Sequence, residues 1–364
     1  TGWMNGDIKL ATLSDTDATD ISGGNKITNG DAWSGASSSQ SSTPPTGWTG
    51  EGGATWATQS GGDGSYIRLY NENNGGAGPN SYMHQTITTV VGKKYTISAT
   101  QYHHATITVY VSAGTGAGVG DLLYTGYASS SGATPKYLQG TFTATGTTTY
   151  INLGIISGTH NYSVGWDDVI VTEAEEDRSV NGKDLQVFGT VAKTAVATGA
   201  DLVGYSGFTA NNSLIQPINS DILNLTKRSF VIWSKATKGN YYQYLWSLTD
   251  DTDYHYGLAI FANDGYLYSY DQENGIGQTS TDVATGEWQC IVMTDDETNK
   301  KLYVNGVLKN TFAHVYDGNS SGKEDMRLRV GQYNGGNHPH QGSLALLRVS
   351  GTILSPKQIK KIYN

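Results

Sequence analysis

Two carboxylates at alternate positions of one strand can act together on a glycosidic bond. Alternate residues share a face, and the acids then flank the bond at about 5–5.5 Å. The acids of this chain are not spaced that way. Thr249-Asp-Asp-Thr-Asp253 and Asp295-Asp-Glu297 are the dense acidic strings, and both fall in turns between strand-like stretches. No Gly-x-Ser-x-Gly nucleophile turn occurs, and the histidines form no pattern with a serine and an acid. The expectation is no enzyme. The residues offer stacking instead, since sugars present flat apolar faces to aromatic rings and hydroxyls to Asn, Gln, Asp and Arg. With 24 Tyr and 8 Trp the supply is large, and it is clustered. Pro79-Asn-Ser-Tyr-Met-His84, Gln101-Tyr-His-His104 and Tyr124-Thr-Gly-Tyr127 are candidates to line a face or rim in the first half, joined from loops by Trp48 and Trp56. Asn240-Tyr-Tyr-Gln-Tyr-Leu-Trp246 and Asp253-Tyr-His-Tyr256 do the same in the second half. The saccharide contacts expected are therefore Trp56, Tyr82, Tyr102, Tyr127, Tyr241 and Tyr254, while Trp166, Trp233, Trp246 and Trp288 are expected to be structural.

Metal chemistry is thinner. His103 and His104 are strand neighbours that point to opposite faces and cannot share an ion. His338-Pro-His340 lies in a Gly/Asn-rich loop that either clasps a transition metal or is a polar surface loop. Cys290 has no partner for a disulfide and alternates within a strand, so it reads as a small buried apolar residue.

The elements that must position these residues are strands. At 364 residues there is room for two domains, and 47 Gly with only 15% charged residues describes a chain of turns and sheets. A formal charge of −9 argues against nucleic acid, whose phosphates would be repelled. No apolar run approaches the ~18–20 residues of a membrane-spanning helix. The chain opens on Thr1 with no signal peptide, which reads as a processed or downstream piece of something longer.

In the second half, Trp288-Gln-Cys-Ile-Val-Met293 is followed by Lys301-Leu-Tyr-Val-Asn-Gly-Val-Leu308. Its Asn305-Gly306 pair predicts a type I′ hairpin, because both central positions of that turn need positive φ. Leu328-Arg-Val-Gly331, Gly342-Ser-Leu-Ala-Leu-Leu-Arg-Val-Ser350 and a helical tail Ser355-Pro-Lys-Gln-Ile-Lys-Lys-Ile-Tyr363 complete the set. In this order the pieces resemble a laminin-G-like jelly roll of the concanavalin A-like lectin/glucanase superfamily over residues 179–364.

The first half alternates with period two in about eight stretches, from Gly64-Ser-Tyr-Ile-Arg-Leu-Tyr70 to Val164-Gly-Trp-Asp-Asp-Val-Ile-Val171, which predicts a second sandwich. Asn29-Gly-Asp31, Pro45-Thr-Gly-Trp48, Gly92-Lys-Lys-Tyr-Thr-Ile-Ser98 and Asp167-Asp-Val169 resemble the outline of family 4/9-type carbohydrate-binding modules over residues 25–173. Ala32-Trp33 departs from the aromatic-then-acid pair usual there. The resemblance implies a structural calcium ion where the first strand meets the last, held by Asp31 and Asp168 with Asp167 as substitute. Hard oxygen ligands suit that ion; the plain alternative is that Asp167 or Asp168 caps a strand or bonds a loop.

The fold class expected is all-β: two tandem jelly-roll β-sandwiches and a short C-terminal helix. Residues 1–24 read as a lead-in segment or linker, and 174–178, within the charge run Thr172-Glu-Ala-Glu-Glu-Asp-Arg178, as a solvated acidic linker. Ser14-Asp-Thr-Asp-Ala-Thr-Asp20 lacks the Gly and distant Glu of an EF-hand, leaving an Asx-rich turn. Gly2 to Asp15 resembles junction segments of marine bacteriophage tail-fibre-like proteins, which implies the distal part of a longer fibre. The function expected is a non-catalytic glycan-binding or adhesion protein, extracellular or on a virion surface. Its expected partners are polysaccharide or cell-surface glycan and, through edge strands, a homo-oligomer, with no nucleic acid and no membrane. The alternative is a structural or assembly protein whose sandwiches make protein–protein contacts in an oligomer or filament.

Overall fold

The computed structural model describes residues 7–61, 64–71, 81–103, 107–128, 136–156, 162–216, 222, 225–249, 255–261, 263–271, 275–314 and 326–364. The protein is nearly all β, with jelly-roll sandwiches and a short helix at Pro356–Tyr363. It divides into two compact units, Asn25–Glu173 and the remainder of the chain.

Unit Asn25–Glu173 is a sandwich of two antiparallel sheets. One runs, by hydrogen-bonded neighbours, Ala54–Gly61, Gly64–Asn71, Tyr162–Glu175, Lys94–His103, Lys136–Thr143. The other runs Thr49–Glu51, Ser81–Thr88, Thr148–Ile156, Thr108–Gly114, Leu123–Ala128. Period-two alternation decides which residues meet inside: Ile67, Leu69, Ile97, Val164 and Trp166 from the first sheet pack on Met83, Val109, Val111, Ile151 and Leu153 of the second. The intervening residues, Tyr66 and Tyr102 on one sheet, Tyr82 and Tyr110 on the other, point outward.

The larger unit is also a sandwich. In one sheet Gly342–Ser350 lies beside Arg228–Thr237, followed by Thr285–Asp295, Asn299–Val304 and Val307–Ala313. The second sheet runs Leu185–Ala195, Ser213–Gln216, Arg327–Val330, Gln243–Thr249, His255–Ile260, Tyr266–Asp271, Gly275–Asp282. Leu185–Ala195 serves both sheets: its first residues pair with Ser213–Gln216 and its last with Val203–Ser206. The bend falls at Gly189, at φ +64°, where a Cβ would sit 2.0 Å from Asn212 Oδ1. Between the sheets lies one apolar core, with Phe230 stacked on Trp246 at 3.9 Å.

Local signals behave as their chemistry demands. Asn305 and Gly306 have φ of +50° and +76°, and Asn305 Oδ1 accepts from Cys290 N at 2.9 Å. Ser355 and Gln358 form a reciprocal capping box on the terminal helix. That helix lays Ile359 over Val231, Cys290, Val292 and Tyr303, so Cys290 is buried and its thiol is pushed up to about 12 by that burial.

Two boundary readings need correction. Residues 1–24 are not a free lead-in: Ile8–Thr12 pairs antiparallel with Gly342–Ser350, Ile21–Gly23 pairs with Leu185–Ala195, and Leu10 and Leu13 are wholly buried. Nor are 174–178 a solvated linker. Ala174 and Glu175 extend the edge of Leu185–Ala195. Asp177 takes Ala11 N and Ser179 N on Oδ1, at 2.9 Å each, and Lys183 N on Oδ2 at 3.0 Å. The acids are dense there because unsatisfied backbone donors converge. The Asx reading of Ser14–Asp20 matches the hydrogen bonds, with Asp15 Oδ1 accepting from Thr16 N and Asp17 N, and Asp17 Oδ1 from Thr19 N.

Candidate functional site

The outer face of the second sheet in the larger unit gathers seven aromatic rings. Tyr268 and Tyr270 occupy alternate positions of Tyr266–Asp271, while Leu267 between them enters the core. Tyr244 opens the neighbouring strand pair, facing Ala259. Its ring stacks on Tyr333 at 5.0 Å and on Tyr270 at 5.8 Å. Tyr242 stands edge-on to Tyr270 at 5.7 Å and lies 4.6 Å from Phe261, which in turn is 5.0 Å from Tyr268. His338 closes the ring of contacts at 5.9 Å from Tyr242 and 6.3 Å from Tyr333.

The loop that supplies Tyr333 and His338 is held by its own backbone. Tyr333 N donates to Asn337 O at 2.9 Å, and Tyr244 N to His338 O at 3.1 Å. Gly336, at φ +79°, packs on Ala210 where a Cβ would approach the carbonyl oxygen to 2.4 Å. The floor is small: a Cβ on Gly257 would lie 3.2 Å from the Tyr244 ring. Tyr244 is buried under its neighbours, whereas Tyr242, Tyr268, Tyr270 and Tyr333 are half-buried and keep part of each ring on the surface. Burial pushes the Tyr244 and Tyr270 phenols up, the latter also through a hydrogen bond with Tyr242, and lowers His338. At neutral pH the face therefore offers uncharged rings and intact hydroxyls.

The expected saccharide contacts do not share one surface. Trp56 is 1% exposed, fills the core of its sandwich and donates Nε1 to Thr43 O, so the expectation that it stacks on a ligand is corrected. Tyr102 and Tyr82 point outward from opposite sheets of that sandwich. Tyr102 stacks on Tyr66 at 4.6 Å above Gly165, where a Cβ would clash with the Tyr66 ring and the Tyr102 Cβ. Beside them Arg68 Nε donates to Ser163 Oγ at 2.9 Å. Tyr82 lies against Gly118 and 6.1 Å from His84, on the same face as the Tyr110–Tyr124 stack. The side chain of Tyr127 and the whole of Tyr254 lie outside the described residues. Tyr241 is 68% exposed but stands outside the ring cluster; its neighbours Tyr242 and Tyr244 belong to it. The missed signal was Tyr266-Leu-Tyr-Ser-Tyr270, three tyrosines at alternate positions and therefore on one face.

Among the described residues one acidic group has metal-ligating spacing: Asp31, Asp167 and Asp168 each bring a carboxylate oxygen within 4.8 Å of the others. A β-bulge between Asp167 and Ile170, with Asp168 at φ +49°, brings the adjacent aspartates to the same place. Asp31 is docked there by Gly30, whose carbonyl accepts from Val169 N at 2.9 Å. Trp33 Nε1 donates to Asp167 Oδ1 at 3.0 Å and Thr100 Oγ1 to Asp168 Oδ2 at 3.1 Å, while Asp167 Oδ2 is buried without a hydrogen-bond partner. Burial, with Asp168 and Asp31 adding repulsion, raises the Asp167 carboxyl to about 7 against the Trp33 bond. An orphaned carboxylate oxygen beside two more carboxylates fits a hard divalent cation. The two histidines of the loop His338-Pro-His340 part company: His338 joins the tyrosines, and His340 is buried with Nε2 3.4 Å from Ser234 Oγ.

A family model described as the concanavalin A-like lectin/glucanases superfamily, laminin G type, matches residues 208–360, which contain the tyrosine face. This match agrees with the concanavalin A-like sandwich seen in that part of the chain. No curated protein matches the chain. Among solved structures, domain 4 of AbnA, a GH43 extracellular arabinanase from Geobacillus stearothermophilus in complex with arabinotriose, is 20% identical. That alignment covers 52% of this chain and 92% of that one, with a TM-score of 0.44. The Ruminococcus gnavus IT-sialidase CBM40 bound to alpha2,6 sialyllactose is also 20% identical, over 40% of this chain and 87% of that one, at 0.35. The binding domain of botulinum neurotoxin DC in complex with SialylT is 13% identical, over 52% and 48%, at 0.40.

Proposed function

We propose that the protein is a non-catalytic glycan-binding protein and that the tyrosine face of its lectin-like domain is the binding surface. The observation that carries this reading is the convergence of Tyr242, Tyr244, Tyr268, Tyr270, Tyr333 and His338 outside the core, on a sheet whose inner face is already fully packed. The core gains nothing from those rings, whereas a pyranose stacked on them loses little hydration. We place the chain in the distal part of a phage fibre or a secreted adhesin, outside the cell. The decisive experiment is a glycan array with the whole chain, followed by titration of the best ligand. Tyr268→Ala and Tyr333→Ala should each raise Kd about five- to tenfold, the loss of roughly 1 kcal/mol per stacked ring. Tyr241→Ala should leave Kd unchanged. Equal affinity in all three variants, with folding intact, would move the site off this face.

Within Asn25–Glu173 we propose a structural calcium ion held by Asp31, Asp167 and Asp168. It would supply positive charge to a buried carboxylate that the fold leaves unsatisfied, and so tie the Asn29–Asp31 segment to the bulge at Asp168. At a calcium concentration about 100 times Kd the gain is about 2.7 kcal/mol. Thermal unfolding in calcium and then in chelator should show Tm falling by several degrees in the wild type and staying fixed in Asp168→Ala. A wild-type Tm indifferent to chelator would remove the ion.

A further inference from the structure

The outer face of the other sheet in the larger unit carries an apolar cluster. The terminal helix covers part of it, over Val231, Cys290 and Val292. Past that cover, where Trp233 stacks on Tyr363 at 6.2 Å, lies a cavity of about 240 Å³ lined by Val196, Leu202, Trp233, Trp288, Ala345 and Leu346. Its wall presents no polar surface. The Trp288 Nε1 hydrogen is spent on Val196 O at 3.0 Å.

Three features hold the cavity in shape. The hydrogen bond to Val196 fixes the Trp288 indole, and Gly204 lets it lie close, since a Cβ there would sit 3.0 Å from two of its ring carbons. The stack on Tyr363 fixes Trp233. Leu346 is the third: it has φ +52° at a β-bulge, because Val231 pairs with Arg348 but Trp233 with Ala345, leaving Leu346 and Leu347 opposite Ile232 alone. In a regular strand Ala345 and Leu346 would face opposite ways; here both line the cavity. A leucine in the left-handed region costs about 1 kcal/mol or more, and the bulge persists because Leu346 N is anchored to Leu13 O at 2.8 Å.

We infer that this cavity binds a compact uncharged hydrocarbon group, somewhat larger than the benzene that fills an apolar cavity of ~150 Å³. A saccharide ring does not suit it, for each hydroxyl stripped of water without a partner costs about 1–3 kcal/mol. An alkyl or aryl group gains about 25 cal/mol per Å² buried against walls that need no rearrangement. The group arrives as the alkyl tail of a larger molecule if octyl glucoside competes with octanol for the cavity, and as a free small molecule if octanol alone saturates it.

The test follows the methyl resonances of Val196, Leu202 and Leu346 in the full chain during titration with 1-octanol, octyl glucoside and glucose. Saturable shifts with octanol, competed by octyl glucoside, are expected; glucose should move nothing. Ala345→Phe fills the cavity and should abolish the shifts of its remaining methyls. Leu346→Gly suits the backbone and removes one wall, so it should fold and bind octanol at least fivefold more weakly. Linear, unsaturable shifts in the wild type would overturn the assignment. So would saturation retained unchanged in a folded Ala345→Phe, full affinity in Leu346→Gly, or a response to glucose alone.

Discussion

Glu175 is a carboxyl with almost no water around it. Its Oε1 accepts from Tyr205 OH at 2.8 Å, Leu13 N at 3.2 Å and Thr12 Oγ1 at 3.3 Å, and the residue is 4% exposed. Burial pushes it up to about 7, against the Tyr205 bond that favours the charged form. The unfolded carboxyl titrates near 4.3, so between the two values the folded chain binds more protons than the unfolded one. Stability from this group is therefore present at low pH and lost as pH rises from about 4.3 towards 7. Glu175→Gln keeps the acceptor and removes the charge. Its Tm should match the wild type near pH 4 and exceed it at pH 8, by roughly 3 kcal/mol in stability; a variant less stable at pH 8 would show that the ionised acid is favoured. In the sequence this residue read as linker surface, since nothing in Thr172-Glu-Ala-Glu-Glu-Asp-Arg178 reveals that Leu13 and Tyr205 lie over it.

At the level of elements, the Asn305–Gly306 hairpin was readable because its whole cause is local: two positive-φ positions between alternating strands. Asn305 adds what the sequence does not show, a bond from Nδ2 to Gln289 Oε1 at 2.6 Å and the Cys290 contacts on both sides of its own backbone. Asn305→Ala keeps the backbone bond to Cys290 O but loses the two side-chain bonds and the tolerance of φ +50°, which predicts a loss of about 2–3 kcal/mol in denaturant melts. Asn305→Gly should recover the backbone part of that loss. The bulges at Asp168 and Leu346 were not readable, because each is fixed by register against a strand far away in sequence. The candidate site divides the same way. Alternation placed Tyr242 and Tyr244 on one side of a strand and Tyr241 on the other, but which set faced outward with other rings depended on Tyr333 and His338, which arrive on a distant loop. Asp31, Asp167 and Asp168 entered only through the resemblance to family 4/9-type modules; that their carboxylates converge depends on the bulge at Asp168, which no local pattern announces.

For the whole molecule, the two readings that failed at the domain boundaries have one cause: Asn25–Glu173 is inserted into the other unit. Gly23 pairs with Gly189 and Ala174 with Gln186, antiparallel along the same edge of Leu185–Ala195, whose other edge is occupied by residues 207–216. Positions 187 and 188 lie between, so two residues span the interruption. A chain lacking 25–172, with Gly24 joined to Glu173, should fold and melt cooperatively; a molten product in circular dichroism would mean the insert is needed for its host. Periodicity reads each strand well and says nothing about which strands share a core, which is why Ile8–Thr12 was assigned to no sheet. That strand also sets how the molecule carries load. Ile8 pairs with Ser350 and Thr12 with Leu347, so the chain leaves this pair in both directions from the same end. Tension applied at residue 7 and residue 364 first lifts the terminal helix and then unzips those bonds one at a time. Until they open, the inserted sandwich lies off the path of the force.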